Sequence, residues 1–227
     1  MAVFLHFKEI MSASEYKTID GESFGEFRDR GSKFLAYARS IASEEDALLL
    51  VEQLKKNHPK ARHWCYAWRL GTDKNLFRAN DDGEPSGTAG RPILGQIDSA
   101  GLTQIVVVVV RYFGGTLLGT SGLINAYKES AKIVIDAAHI VKKIRHTLVR
   151  LRFDYTLLSD VMNAIKKLDL DVVRKDFNEI AEIELAIPQD KVEQNWTAFK
   201  AAVLKIEESR ALDIKQIGGL DWQLLEK

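Results

Sequence analysis

Residues 81–122 read DDGEPSGTAGRPILGQIDSAGLTQIVVVVVRYFGGTLLGTSG, and the rest of the chain is arranged around them. Ile105 to Val110 are six β-branched residues in a row. A run without polar alternation is the mark of a strand covered on both faces. It stops at Arg111, whose guanidinium must either reach a sheet edge or meet an acid, because a buried charge needs a partner. The glycines Gly114, Gly115, Gly119 and Gly122 then give the backbone freedom to turn. A helix is expected over 121–138, with Leu123, Ile124, Tyr127, Ala131, Val134, Ile135 and Ala138 on its buried side. A buried strand thus feeds a glycine-rich turn that opens a helix, and the free N–H groups of such a turn suit an anion.

The spacing within this stretch resembles one family. Gly90, Ile93-Leu94, Ile97, Leu102, Val108-Val109, Arg111-Tyr112-Phe113-Gly114-Gly115 and Leu118-Gly119 stand at the positions of the IMPACT/YigZ signature. Upstream, Asp81-Asp82-Gly83-Glu84-Pro85 and Gly87-Thr88-Ala89-Gly90, followed by Arg91, also look like that family. The resemblance implies an α+β protein of two domains, of the bacterial type. The first domain would be like domain 2 of ribosomal protein S5, a mixed sheet packed by helices on one side. The second would be ferredoxin-like, of the elongation factor G domain V type. The same resemblance implies a role in regulating translation.

The totals narrow the field. With 32 Lys+Arg against 32 Asp+Glu, the net charge is zero, so bulk charge does not mark a strongly basic nucleic-acid binder. The single cysteine, Cys65, excludes an intrachain disulfide and is expected as a buried structural thiol rather than a nucleophile. No apolar run approaches a membrane span. The common hydrolase and zinc signatures are absent, as are a Walker loop and a GxGxxG run.

Along the chain, 1–14 is expected as an N-terminal extension and 15–139 as the first domain. Short strands at 23–28 and 32–40 form a hairpin around Asp29-Arg30-Gly31. A helix capped by Ser43 and stopped by Pro59 follows, with Leu48, Val51 and Leu54 facing the core. Strands follow at 63–70 and 76–79. Residues 140–147 are expected as a basic connector. The order β-α-β-β-α-β over 148–220 closes with a strand at 212–217, and 221–227 is a tail.

Candidate chemistry falls in three groups. Asp81, Asp82 and Glu84 could hold Mg²⁺, brace a turn, or pair with Arg111 or Arg91. His63 stands in a strand pattern with no acid partner visible in the sequence. Arg111, Tyr112, Phe113, Gly114, Gly115, Thr120, Ser121 and Lys128, with Lys142 and Lys143 of the basic stretch, could bind phosphate or nucleic acid. The expectation is a non-enzymatic cytoplasmic protein that binds RNA, the ribosome or another translation component, or a protein partner, with no cofactor and no membrane. The alternative is a Mg²⁺-dependent phosphoryl-transfer or hydrolase enzyme using the acidic loop and the 114–122 turn.

Overall fold

The strand Ile105–Tyr112, β6, is buried along its length except at Tyr112. Successive side chains leave opposite faces of a strand, so the β-branched run feeds two cores at once. Ile105, Val107 and Val109 enter one core with Ile93, Ile97 and Tyr127. Val106, Val108 and Val110 enter the other with Ala47, Leu50, Val51 and Leu54. The computed structural model describes residues 15–225, so the expected extension 1–14 lies outside them. The chain divides into two compact units, Glu15–Lys143 and, among the described residues, 144–225.

In the first unit the strands are β1 (Glu15–Ile19), β2 (Glu22–Asp29), β3 (Ser32–Ser40), β4 (His63–Leu70), β5 (Leu76–Asn80), β6 and β7 (Ile140–Ile144, whose last residue falls in the second unit). The helices are α1 (Glu44–Asn57), α2 (Gly90–Ser99) and α3 (Gly119–Asp136). Five strands form one sheet in the order β2-β3-β6-β4-β5. Every neighbouring pair in it is antiparallel, which corrects the expected mixed sheet. Helices also lie on both faces rather than one: α2 and α3 line the first core and α1 the second.

Local chemistry explains these elements. The β2–β3 hairpin turns at Arg30 and Gly31, with φ of 45° and 80°, the left-handed pair that matches the twist of a tight hairpin. Ser43 and Asp46 cap α1 reciprocally, each bonding the other's backbone N–H. Ala47, Leu50, Val51 and Leu54 form the buried face of α1, while the expected core residue Leu48 is turned outward. The 140–147 segment is not a plain connector, because β7 pairs with β1 to form a second, two-stranded sheet.

The second unit runs β8 (His146–Phe153), α4 (Leu158–Lys167), β9 (Asp171–Phe177), β10 (Ala181–Pro188), α5 (Val192–Leu204), α6 (Glu208–Ala211) and β11 (Leu220–Leu225). The sheet order is β11-β8-β10-β9 and all its pairs are antiparallel. The β-α-β-β-α-β order is the one the sequence pattern suggested. The closing strand is displaced: it is Leu220–Leu225, within the stretch expected as a tail, and not 212–217. Residues 212–217 instead follow α6 and are held by side chains. Ile214 and Ile217 pack on the core, and Lys200 Nζ donates to the Ile214 carbonyl at 2.7 Å.

Candidate functional site

The acidic loop is tied down at every carboxylate. Asp81 Oδ1 accepts the Ala89 and Gly90 N–H groups at 2.9 and 2.8 Å, and its Oδ2 accepts that of Gly87 at 2.8 Å. Burial alone would raise the Asp81 carboxyl, but these three N–H groups outweigh it and hold it below its usual range. Asp82 Oδ2 accepts the Trp64 N–H at 2.7 Å, fastening the loop to β4. Gly90 is required because a Cβ there would lie 2.4 Å from Asn80 N. Pro85 and Thr88 close the turn, the Thr88 hydroxyl donating to the Pro85 carbonyl at 2.6 Å. Gly83 and Gly87 both carry positive φ, and Arg91 is exposed beyond the turn.

Glu84 faces the other way, into the protein. Its Oε1 accepts from Arg111 Nη1 at 2.6 Å and from the Tyr127 hydroxyl at 2.8 Å. His63 Nε2 lies 3.8 Å from the same oxygen, while His63 Nδ1 donates to the Asp82 carbonyl at 2.8 Å. Arg111 is therefore buried against an acid, and its Nε has no partner among the described residues. The three carboxylates point to three different sets of partners. Among the described residues no group of three or more His, Cys, Asp or Glu side chains could hold a metal ion.

Two buried groups beside this network are chemically quiet. The Cys65 thiol donates to the Asp81 carbonyl at 3.0 Å and lies 3.3 Å from the Tyr127 hydroxyl. Burial pushes both the thiol and the Tyr127 phenol far above their ordinary values, so neither forms an anion to attack with.

The sheet register opens a cleft beside this network. His63 and Phe34 both stand opposite Arg111. A cleft of about 480 Å³ results, lined by Arg62, His63, Glu84, Arg111, Phe113, Leu117 and the start of α3 at Gly119 and Thr120. The N-cap of α3, Leu118, supplies no side-chain cap, and no acid lies in the first turn. That end carries free N–H groups and the positive pole of the helix. Phe113 is 46% exposed with the Arg111 guanidinium 5.7 Å from its ring centre, and Leu117 is 81% exposed. Arg62 is exposed and makes no ion pair with a described residue.

Of the residues singled out in the sequence, the structure brings Arg111, Phe113 and Thr120 together here. Tyr112 belongs to the opposite face, where its hydroxyl bonds His58 Nδ1 at 2.9 Å. Gly114 is a packing glycine: a Cβ would come within 1.9 Å of the Gly31 carbonyl carbon. Gly115 sits in open space with φ of 87°. Ser121 and Lys128 are exposed on α3 and do not line the cleft. Lys142 pairs with Glu15 at 2.9 Å, and Lys143 lines a different pocket. Arg62 and Leu117 were not singled out in the sequence, and His63 was read there without its acid.

Residues 30–135, which include the whole cleft, match the Impact N-terminal domain. An IMPACT family member of Haemophilus influenzae is 35% identical over 197 residues, covering 86% of this chain and 89% of its own length. IMPACT family member YigZ of Escherichia coli is 34% identical over 163 residues, covering 71% of this chain and 80% of its own. A solved structure described as a hypothetical protein is 29% identical, covers 94% of this chain and 98% of its own, and superposes with a TM-score of 0.66. An antiparallel sheet covered by helices on both faces, with an Arg–Glu pair under a helix-entry cleft, defines the class of the first unit. The chain belongs to the IMPACT family.

Proposed function

We propose that this protein is a non-enzymatic binder of single-stranded RNA that acts on translation in the cytoplasm. A phosphate would sit at the entry of α3, between its free N–H groups and Arg62, with His63 beside it. A base would lie on the exposed ring of Phe113. The observation that carries this reading is the convergence of an uncapped helix entry, an unpaired arginine and an exposed aromatic in one cleft. Phosphate affinity and sequence-tolerant stacking are the two requirements for single strands.

The role in translation is what the family resemblance implies. So are the finer fold assignments, ribosomal protein S5 domain 2-like for the first unit and elongation factor G domain V-like for the second. The second unit offers RNA less. Its solvent-facing sheet residues Arg150 and Arg152 are already paired with Glu182 and Glu184. The enzyme alternative is not favoured, since the acidic loop spends its carboxylates on backbone N–H groups and on Arg111.

The test is fluorescence anisotropy with labelled single-stranded RNA. Phe113→Ala should weaken binding by about 1–3 kcal/mol, the worth of one stacked base. Arg62→Ala should weaken it as well. Unchanged affinity in both variants would rule out this cleft as the RNA site.

A further inference from the structure

A second pocket, of about 470 Å³, lies at the other end of β6. Its floor is Gln104, seven residues before Arg111, so at about 3.3 Å per residue the two sites are about 23 Å apart along the sheet. Nothing in the RNA reading uses it.

Three features mark it as a binding site. Gln104 adopts φ of 53°, a left-handed conformation that is rare for a residue with a side chain. Its carbonyl holds it there, accepting the Ile41 N–H and the Thr18 hydroxyl, each at 3.0 Å. The buried Gln104 Oε1 has no partner among the described residues, and neither does the buried Nε of Arg39, which also lines the pocket. Buried polar atoms are normally satisfied, so two orphans of opposite sense, one acceptor and one donor, point to a ligand that supplies both. Finally, Lys143 lines the pocket with no ion pair to a described residue.

The remaining walls define the ligand further. The lone carboxylate of the lining, Asp46, is turned to the chain: its Oδ2 accepts the Ala42 and Ser43 N–H groups at 2.9 and 3.1 Å. Arg39 Nη2 pairs with Glu22 at 2.6 Å, leaving its Nε and Lys143 as the groups to meet an anion. Leu49, 67% exposed, and Tyr16 supply apolar surface. A pocket of this size holds a small molecule.

We propose that this pocket binds a nucleoside monophosphate: Lys143 and Arg39 Nε hold the phosphate, Gln104 Oε1 accepts an N–H of the base, and Tyr16 and Leu49 cover its ring. The inference does not rest on the RNA cleft. It is tested by calorimetric titration of the full chain with AMP, GMP, CMP and UMP, alongside inorganic phosphate and ribose 5-phosphate. At least one mononucleotide should bind, and more tightly than either phosphate control. Lys143→Ala and Gln104→Gly should each weaken it about tenfold or more, equivalent to about 1.4 kcal/mol. Glycine accepts the left-handed backbone at position 104, so Gln104→Gly should keep or raise the melting temperature without ligand, separating lost binding from lost folding. Arg62→Ala should leave the mononucleotide affinity unchanged. Absence of mononucleotide binding at millimolar concentration would overturn the proposal. So would phosphate binding equal to the nucleotides, or affinities unmoved by Lys143→Ala and Gln104→Gly.

Discussion

Replacing Glu84 with glutamine should destabilise the first unit more than any surface change. The side chains of Glu84 and Arg111 are 4% and 6% exposed, and their atoms approach to 2.6 Å. Glutamine keeps the size and an oxygen for the Tyr127 hydroxyl, but it leaves the guanidinium buried without a counter-charge. Removing one member of a buried pair costs about 3–5 kcal/mol, a large part of the stability of an ordinary domain. Hydrogen exchange of the β6 amides reads the first unit by itself, and their protection should fall by about that amount. The double variant Glu84→Leu/Arg111→Met removes both charges. It should lose less than the two single changes together, because a buried ion pair replaced by apolar groups is often close to neutral. A loss below about 1 kcal/mol in Glu84→Gln, or strict additivity in the double variant, would refute the account of Arg111 as a buried cation held by one acid.

Two further outcomes follow from the glycines and the acidic loop. Gly114→Ala should cost about 3 kcal/mol or more in urea unfolding, because its Cβ would meet the Gly31 and Ser32 backbone at 1.9 and 2.2 Å. Gly115→Ala, with open space but φ of 87°, should cost only about 1–2 kcal/mol. Asp81→Asn should cost about 1–3 kcal/mol at neutral pH through its lost acceptor bonds. The Asp81 carboxyl is depressed in the folded chain, so its contribution is complete above the ordinary aspartate value of about 3.9 and disappears as pH falls through the folded value. The stability gap between wild type and Asp81→Asn should therefore narrow only below about pH 4.

Much of the fold is legible because its signals are local. The β-branched run of β6, the Ser43 cap of α1 and the β-α-β-β-α-β order each rest on neighbouring residues. What is not legible depends on distant pairing. β1 and β7 find each other across more than a hundred residues, and neither has an apolar run to announce it. The 212–217 segment has the apolar spacing of a strand but spends Ile214 and Ile217 on side-chain packing, so Leu220–Leu225 takes the sheet edge. The site divides in the same way. That Arg111 would meet an acid is readable from its burial, but the meeting of His63 with Glu84 needs the β4–β6 register. Tyr112 was grouped with Arg111 and Phe113 by adjacency. Adjacent strand residues face opposite ways, and that period of two sends its hydroxyl to His58.

The central claim, that RNA is held at the α3 entry by Arg62 and the helix N–H groups, is tested most directly by the salt dependence of single-stranded RNA binding. The account predicts that the logarithm of affinity falls linearly with the logarithm of salt, and that Arg62→Ala makes the slope shallower by about 0.7, the share of one phosphate contact on a single strand. An affinity independent of salt, or a slope that Arg62→Ala leaves unchanged, would contradict it.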